Sequence, residues 1–297
     1  MKIVVTGGAG FIGSSFVNLC LEKGHQVLVV DKITYAGSLK NLNIDSDNIS
    51  LELEDINNVT AESLGEFDYL VNFAAESHVD NSIDNGKPFV MSNVVGTFNL
   101  LEIARKNKRL KKFVQISTDE VYGDLKDLRI KVAKETTAVN PSSYYSATKT
   151  AADHLVSACG RTFNLPYLIT RTCNNFGEKQ FKEKFIPKII DCIKNDLEVP
   201  VYGDGQQSRE WIWVEDNVAK LYELMLDDSS GIVNVGSSEA HKNIDIINYI
   251  SKELNKKVKY RFVEDRKGHD KIYRITTERG YPPKITKTLF QFLKEQL

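Results

Sequence analysis

No uninterrupted apolar run in this chain approaches the roughly 18 residues that a membrane-spanning helix requires, so no span is expected. No charged-then-apolar leader is present either: Met1 passes directly into Lys2-Ile3-Val4-Val5, so a cytoplasmic location is expected rather than secretion. Basic residues do not cluster outside Arg105 to Lys112, and the formal net charge is -1, which argues against nucleic acid as a partner. Cysteine is scarce. Cys20, Cys159, Cys173 and Cys192 lie far apart in apolar contexts and read as buried free thiols of a reducing compartment. The five histidines show no ligand spacing, so no metal site is expected. Internal repeats, low-complexity tracts and flexible linkers are missing too.

What is there is enough for a large core. With 297 residues, 41% hydrophobic and 27% charged, the chain can fold as one extended α/β unit or as two domains. Short β-rich runs alternate with helix-length segments through the first half: Lys2 to Thr6, Gln26 to Val30, Ile49 to Leu53, Tyr69 to Phe73, Lys112 to Ser117 and Tyr167 to Thr170. Runs apolar throughout and spaced in this way predict a parallel sheet buried on both faces, hence a doubly wound α/β fold of the Rossmann type. From about Asn174 the alternation gives way to polar loops, with a turn at Gly203-Asp204-Gly205 and a late return to the sheet near Gly231 to Val235. The expected division is residues 1–173 as a dinucleotide-binding domain, rejoined by about 212–236, and 174–297 as a smaller mixed α/β substrate-binding region over the carboxyl ends of the strands. Ile285 to Leu297 reads as a short amphipathic terminal helix.

Thr6-Gly7-Gly8-Ala9-Gly10-Phe11-Ile12-Gly13 follows the first strand and opens a helix. Gly7 allows the tight turn, Gly10 lets backbone N–H groups approach a pyrophosphate, and Gly13 permits close packing of helix on strand. Asp31 ends the second strand about 20 residues on, where an acid hydrogen-bonds a ribose 2′-hydroxyl. The same carboxylate repels a 2′-phosphate, so NAD is favoured over NADP, with Lys32 pulling the other way. Asp55-Ile56, after the third strand, is placed to meet the adenine or to serve as plain loop.

Thr118, Asp119 and Glu120 follow the strand Lys112 to Ser117 and offer a hydrogen-bond donor, a proton donor and a proton acceptor, the groups an elimination needs. Tyr145 and Lys149 stand four residues apart, on one face of a helix. A cation there, and the positive nicotinamide ring, are expected to lower the tyrosine pKa and make Tyr145 a base for a sugar or alcohol hydroxyl.

Taken together, these residues resemble the extended short-chain dehydrogenase/reductase superfamily and most closely the dTDP-glucose 4,6-dehydratase family. The resemblance runs from Lys2 to about Tyr273 and rests on Thr6 to Ser14, Asp31 to Gly37, Ala74-Ala75-Glu76-Ser77-His78-Val79-Asp80, Ser117 to Gly123, Tyr145 to Lys149, Asn174 to Gly177 and Asp265 to Asp270. It implies that Tyr145 takes the proton of the sugar 4-hydroxyl with Thr118 bonded to the same oxygen, that Glu120 removes the C5 proton, and that protonated Asp119 donates to the departing 6-hydroxyl. The product is then an NDP-4-keto-6-deoxy-hexose, with NAD regenerated at each turnover and tightly held. Ala74 and Ala75 fall on the cofactor side, and Ser77 and His78 lie near the nicotinamide and the sugar. Asn174, Arg209 and Arg266 would meet the diphosphate, with His269 near it. Lys184, Pro200 and Tyr202 would meet the base and its surroundings, and Phe185 and Asn234 are placed on the substrate side as well. By itself, Tyr202 reads equally as an ordinary packed strand-end residue, and His78 as a packing histidine.

Departures from the family pattern fall in the substrate half. Arg171 to Pro187 lacks the usual Gly-Pro-Tyr, Tyr144 stands in place of Pro, Glu210 replaces Asp, and Asn217 stands where His is common. UDP-glucose or UDP-N-acetylglucosamine are therefore alternative substrates to dTDP-glucose, and epimerisation or decarboxylation of a nucleotide sugar is an alternative reaction. Residues 94–106 and 146–159 carry apolar residues on more than one face, so a homodimer through a four-helix interface is expected.

Overall fold

The computed structural model describes residues 1–276 and 282–297. Twelve strands are formed among them: β1 (Lys2–Thr6), β2 (Gln26–Val30), β3 (Ile49–Glu52), β4 (Tyr69–Asn72), β5 (Lys112–Thr118), β6 (Tyr167–Thr172), β7 (Asn174–Phe176), β8 (Val199–Tyr202), β9 (Ser208–Trp213), β10 (Gly231–Val235), β11 (Ala240–Lys242) and β12 (Tyr260–Val263). The helices are α1 (Phe11–Glu22), α2 (Ala61–Leu64), α3 (Val79–Asp84), α4 (Lys87–Phe89), α5 (Thr97–Ala104), α6 (Leu125–Leu128), α7 (Tyr144–Phe163), α8 (Phe185–Lys194), α9 (Val214–Leu226), α10 (Asn243–Glu253) and α11 (Leu289–Gln296).

Seven strands form one parallel sheet in the order β10-β6-β5-β4-β1-β2-β3. The order reverses between β1 and β4, which puts the crevice where open α/β sheets bind ligands at their carboxyl ends. One apolar core lies on the α1 and α9 face, with Ile3, Val5, Phe16 and Leu221. A second lies on the α5 and α7 face, with Val4, Leu70, Leu100 and Val156. Buried apolar residues on both faces explain why these strands read as continuous apolar runs. A buried amide fixes the centre: the Thr6 hydroxyl donates to Asn72 at 2.6 Å, and the Asn72 amide donates to Gln115 at 2.9 Å and Thr97 at 3.2 Å. All four side chains are buried, so each of these bonds satisfies a desolvated polar group.

The second region is built of small pieces over a third core that includes Phe176, Ile189, Trp211, Ile247 and Phe292. Its sheets are β11-β9-β7, with β11 antiparallel and β7 parallel to β9, and the parallel pair β12-β8. The terminal helix begins at Leu289 rather than near Ile285, because Thr288 and Gln291 form a capping box there. The stretch preceding α5 is also not plain α-helix: Val90–Gly96 is π-helical, and within it Asn93 binds both the N–H (2.8 Å) and the carbonyl (3.1 Å) of Glu76. That contact holds the loop after β4 against the cleft.

Candidate active site

A cleft of about 330 Å³ lies along the carboxyl ends of β1, β2, β4, β5 and β6. At one end the glycine loop turns from β1 into α1. Gly7 takes φ +67°, and a Cβ there would come within 2.6 Å of the backbone nitrogen of Ala74, while a Cβ on Gly13 would run into the Gly7 carbonyl. Gly10 caps α1 without any side-chain hydrogen bond, so the first N–H groups of the helix face the cleft beside Phe11 and Ile12. The Asp31 carboxylate is held at its place by the N–H groups of Ala9 (2.9 Å) and Ile33 (2.8 Å), with lone pairs left for further donors. Lys32 lies 3.3 Å from Asp55 and 3.8 Å from Glu76, so acids surround its charge. Ile56, Ala74 and Ala75 complete this half. A cradle that excludes side chains, an uncapped helix start and an acid at the end of β2 fit NAD.

At the other end stand Thr118, Asp119, Glu120, Tyr145 and Lys149, all lining the same cleft. Lys149 donates to the carbonyl of Ile116 at 2.6 Å, and burial lowers its pKa to about 8. Thr118 donates to Asp119 at 3.3 Å and is also a hydrogen-bond partner of Tyr145. The other oxygen of Asp119 is buried without a partner. Burial first, then the charges of Glu120 and Glu210, push the Asp119 pKa well above the usual carboxylate range. Burial also raises Glu120, but there the cations Arg266, Arg209 and Lys184 oppose the rise. The adjacent carboxyls are thereby held unlike, with Asp119 the better proton holder.

Tyr145 corrects the expectation from sequence as to Lys149, which does not count among the groups that lower its phenol. Its phenol is pushed up, not down, because it is buried and faces the charge of Glu120, and Thr118 is what draws it the other way. The Lys149 ammonium is turned to the Ile116 carbonyl.

Of the expected substrate residues, Ser77, Asn174 and Lys184 line the cleft, and Lys184 donates to the carbonyl of Ser77 at 3.0 Å. His78 caps α3 and stands 3.9 Å from Glu183. Phe185 stacks on Trp211 in the third core, and Pro200 lies in β8 opposite Arg261. Arg209 is buried, with its guanidinium on the carbonyls of Ser208, Lys271 and Asp270 and over the Tyr273 ring. His269 is paired with Asp265 and set edge-on to Tyr202. Asn234 lies away from the cleft lining: its amide bonds Tyr122, Ala133 and Thr276 and knits β10 to neighbouring loops. Arg266 pairs with Asp80 at 3.5 Å.

Sequence reasoning missed Thr34, Ala36, Gly37, Asn175, Gln180 and Phe181 in the lining. Thr34 to Gly37 directly follow Asp31 and could have been found from that alone, whereas Gln180 and Phe181 carry no local signal. Tyr35 sets its hydroxyl on Glu183 at 3.0 Å and its ring edge-on to Phe181, both of which line the cleft. All four cysteines are buried and unpaired, Cys173 in the cleft wall. Among the described residues no group of His, Cys, Asp and Glu is placed to hold a metal, and no helix is long and apolar enough to cross a membrane.

Comparison with known proteins agrees with this geometry. Residues 3–236 match the model of the NAD dependent epimerase/dehydratase family. The low-salt glycan biosynthesis protein Agl12 of Haloferax volcanii is 44% identical over 93% of this chain and 90% of its own. A dTDP-glucose 4,6-dehydratase of Escherichia coli is 39% identical over 96% of this chain and 89% of its own. The crystal structure of DesIV, a dTDP-glucose 4,6-dehydratase of Streptomyces venezuelae, in complex with NAD, superposes with a TM-score of 0.93 at 32% identity, covering 100% of this chain and 96% of that one. The chain belongs to the NAD dependent epimerase/dehydratase family and, within it, to the family of the dTDP-glucose 4,6-dehydratases.

Proposed function

We propose that this protein is an NAD-dependent nucleotide-sugar 4,6-dehydratase that converts an NDP-hexose, dTDP-glucose first among them, to the NDP-4-keto-6-deoxy-hexose and water. The observation that carries the reading is the unlike pair Asp119 and Glu120, set beside Thr118 and Tyr145 in one cleft with the glycine loop. The glycine loop and Asp31 would hold NAD, which supplies the hydride acceptor for C4 oxidation and the donor that reduces C6. Tyr145 is assigned the proton of the 4-hydroxyl, with its phenolate favoured by the Thr118 hydrogen bond and by the positive nicotinamide ring that NAD would place beside it, and Thr118 is assigned the hydrogen bond to the same oxygen. Lys149 holds α7 to β5 so that the two hydroxyls converge. Once C4 is a ketone the C5 hydrogen is acidic, and Glu120, flanked by cations, is assigned as the base that takes it. Asp119 keeps its proton and is assigned as the acid that gives it to the departing 6-hydroxyl. Lys184, Asn174 and Arg266 are assigned to the nucleotide-diphosphate end.

The functional unit is proposed to be a homodimer. Val90, Met91, Val95 and Phe98 are exposed along one helical run, and Ala147, Ala151, His154 and Ala158 form a stripe of mostly small residues on α7. Both suit close helix packing against a second copy.

The test is incubation with dTDP-glucose in deuterated water. A 4-keto-6-deoxy product carrying deuterium at C5 is expected. An epimer without loss of water, or no product from dTDP- or UDP-glucose, overturns the assignment.

A further inference from the structure

Two buried polar atoms without hydrogen-bond partners belong to side chains that meet where the two parts of the molecule adjoin: Oδ1 of Asp80 and Nε of Arg266. Asp80 stands in the first turn of α3, directly after the loop that brings Ala74 to Ser77 to the cleft. Arg266 follows β12 and Tyr202 ends β8, both in the second region. The Asp80 carboxylate reaches both of them. Its Oδ2 accepts from the Tyr202 hydroxyl at 3.0 Å, and its Oδ1 lies 3.5 Å from Nη1 of Arg266.

An ion pair at that separation steadies a guanidinium without filling its donors. Arg209 is the contrast, since its donors already rest on three backbone carbonyls. The charge of Arg266 nevertheless bears on Glu120, together with those of Arg209 and Lys184. A planar cation with unpaired donors, whose charge bears on Glu120, suits an anionic group with several acceptor oxygens.

We propose that Asp80 is a positioning residue that holds Arg266 and Tyr202 ready for the nucleoside diphosphate of the substrate, an inference that rests on the function proposed above. A long side chain ordered only on binding weakens affinity by about two- to tenfold, and Asp80 orders two such groups in advance. The charge on Asp80 opposes the diphosphate, but it is paired with a cation that has donors to spare. The contact also joins α3 to β8 and the segment after β12, so the nucleotide end and the loop after β4 are set relative to each other.

The experiment is calorimetric titration of the NAD-loaded protein with dTDP and UDP, alongside steady-state kinetics on the matching glucose nucleotide. Asp80→Ala is expected to weaken nucleotide binding and raise KM by about tenfold, with kcat at saturation within about twofold and NAD content unchanged. Tyr202→Phe, which lacks one hydroxyl only, is expected to weaken binding by about threefold. Asp80→Asn, which keeps an acceptor for Tyr202 but no charge for Arg266, is expected to fall between them; these two variants carry the test if Asp80→Ala does not fold. Unchanged or tighter binding in the folded Asp80 variants overturns the inference, the latter because it would make Asp80 a competitor of the ligand. A wild-type chain that binds neither nucleotide and turns over neither sugar overturns the functional reading itself, whereas wild-type binding matched by the variants overturns this inference alone.

Discussion

Lys149 donates to the backbone carbonyl of Ile116 at 2.6 Å, which ties the N-terminal third of α7 to β5 two residues before Thr118. The bond lies in a buried setting, and burial brings the lysine from its ordinary 10.5 to about 8. The unfolded chain therefore keeps this proton through a range in which the folded chain has lost it. Stability rises with pH across that window, and below it the folded chain bears the whole cost of a buried cation. Lys149→Met removes the cost. The cofactor-free variant is expected to be more stable near pH 7 by roughly 1–3 kcal/mol, with the advantage fading as the pH climbs toward 10. Thermal melts at both ends check this, and turnover should fall by about a hundredfold because α7 loses its tie to β5.

Asp119 and Glu120 can be separated by isotope. Asp119→Asn leaves the base in place, so solvent deuterium should still enter C5 of dTDP-glucose while water loss drops by about 10²–10⁴-fold. Glu120→Gln should abolish both. Removing the Asp119 carboxyl also changes stability against pH. A carboxyl whose folded pKa is raised contributes stability in full below the unfolded value and loses it as pH rises through the folded one. Asp119→Asn has no such loss and is expected to match or exceed the wild type near pH 7, the gap closing toward pH 3. Measured chemical denaturation at the two pH values decides the point.

The parallel sheet was legible because its strands are buried on both faces: β1, β2 and β10 agree with their apolar runs residue for residue, and β5 and β6 extend only to Thr118 and Thr172. Polar residues at those two ends hid the last pairings, which are made by backbone groups and need no apolar side chain. The cofactor half of the cleft was legible for a similar reason, since Gly7, Gly13 and Asp31 act within a short stretch of chain. The second region was not. Its sheets pair β7 with β9 and β8 with β12, joining segments of three to six residues far apart in sequence, and no local period announces such partners. The direction of the Tyr145 shift failed on the same ground: helical spacing places Lys149 near it, but the burial and the Glu120 charge that prevail are properties of the packed whole.

The glycine loop predicts an order of tolerance. A Cβ on Gly10 meets the Gly7 carbonyl oxygen at 3.2 Å, a contact that a small backbone shift relieves. On Gly13 it collides with the backbone of Gly7 and Gly8, and on Gly7 it adds a left-handed φ to a clash with Ala74. Gly10→Ala should retain NAD with moderate loss, whereas Gly13→Ala and Gly7→Ala should lose NAD and destabilise the fold by roughly 2 kcal/mol or more. Bound nicotinamide per chain after gel filtration, read with the melting temperature, tests the order.

The proposed dimer makes a prediction independent of catalysis. Phe98 is 52% exposed and shares its helical run with Val90, Met91 and Val95, and a cluster of that size on a monomer would face water at a cost. Placing a charge there should matter little if the face is open to solvent, because surface substitutions usually stay within about 0.5 kcal/mol. If a second copy covers it, Phe98→Glu brings an unpaired carboxylate into an apolar interface twice, once from each subunit, since a two-fold contact repeats every residue. The variant is then expected to sediment as a monomer at micromolar concentration and the wild type as a dimer, with the variant melting lower in a concentration-dependent way. Because α7 carries both Tyr145 and the Ala147, Ala151 and Ala158 stripe, losing the partner should also loosen the catalytic helix and reduce kcat more than it affects KM. A monomeric wild type, or a variant that sediments and turns over as the wild type does, removes the dimer from the account of this site.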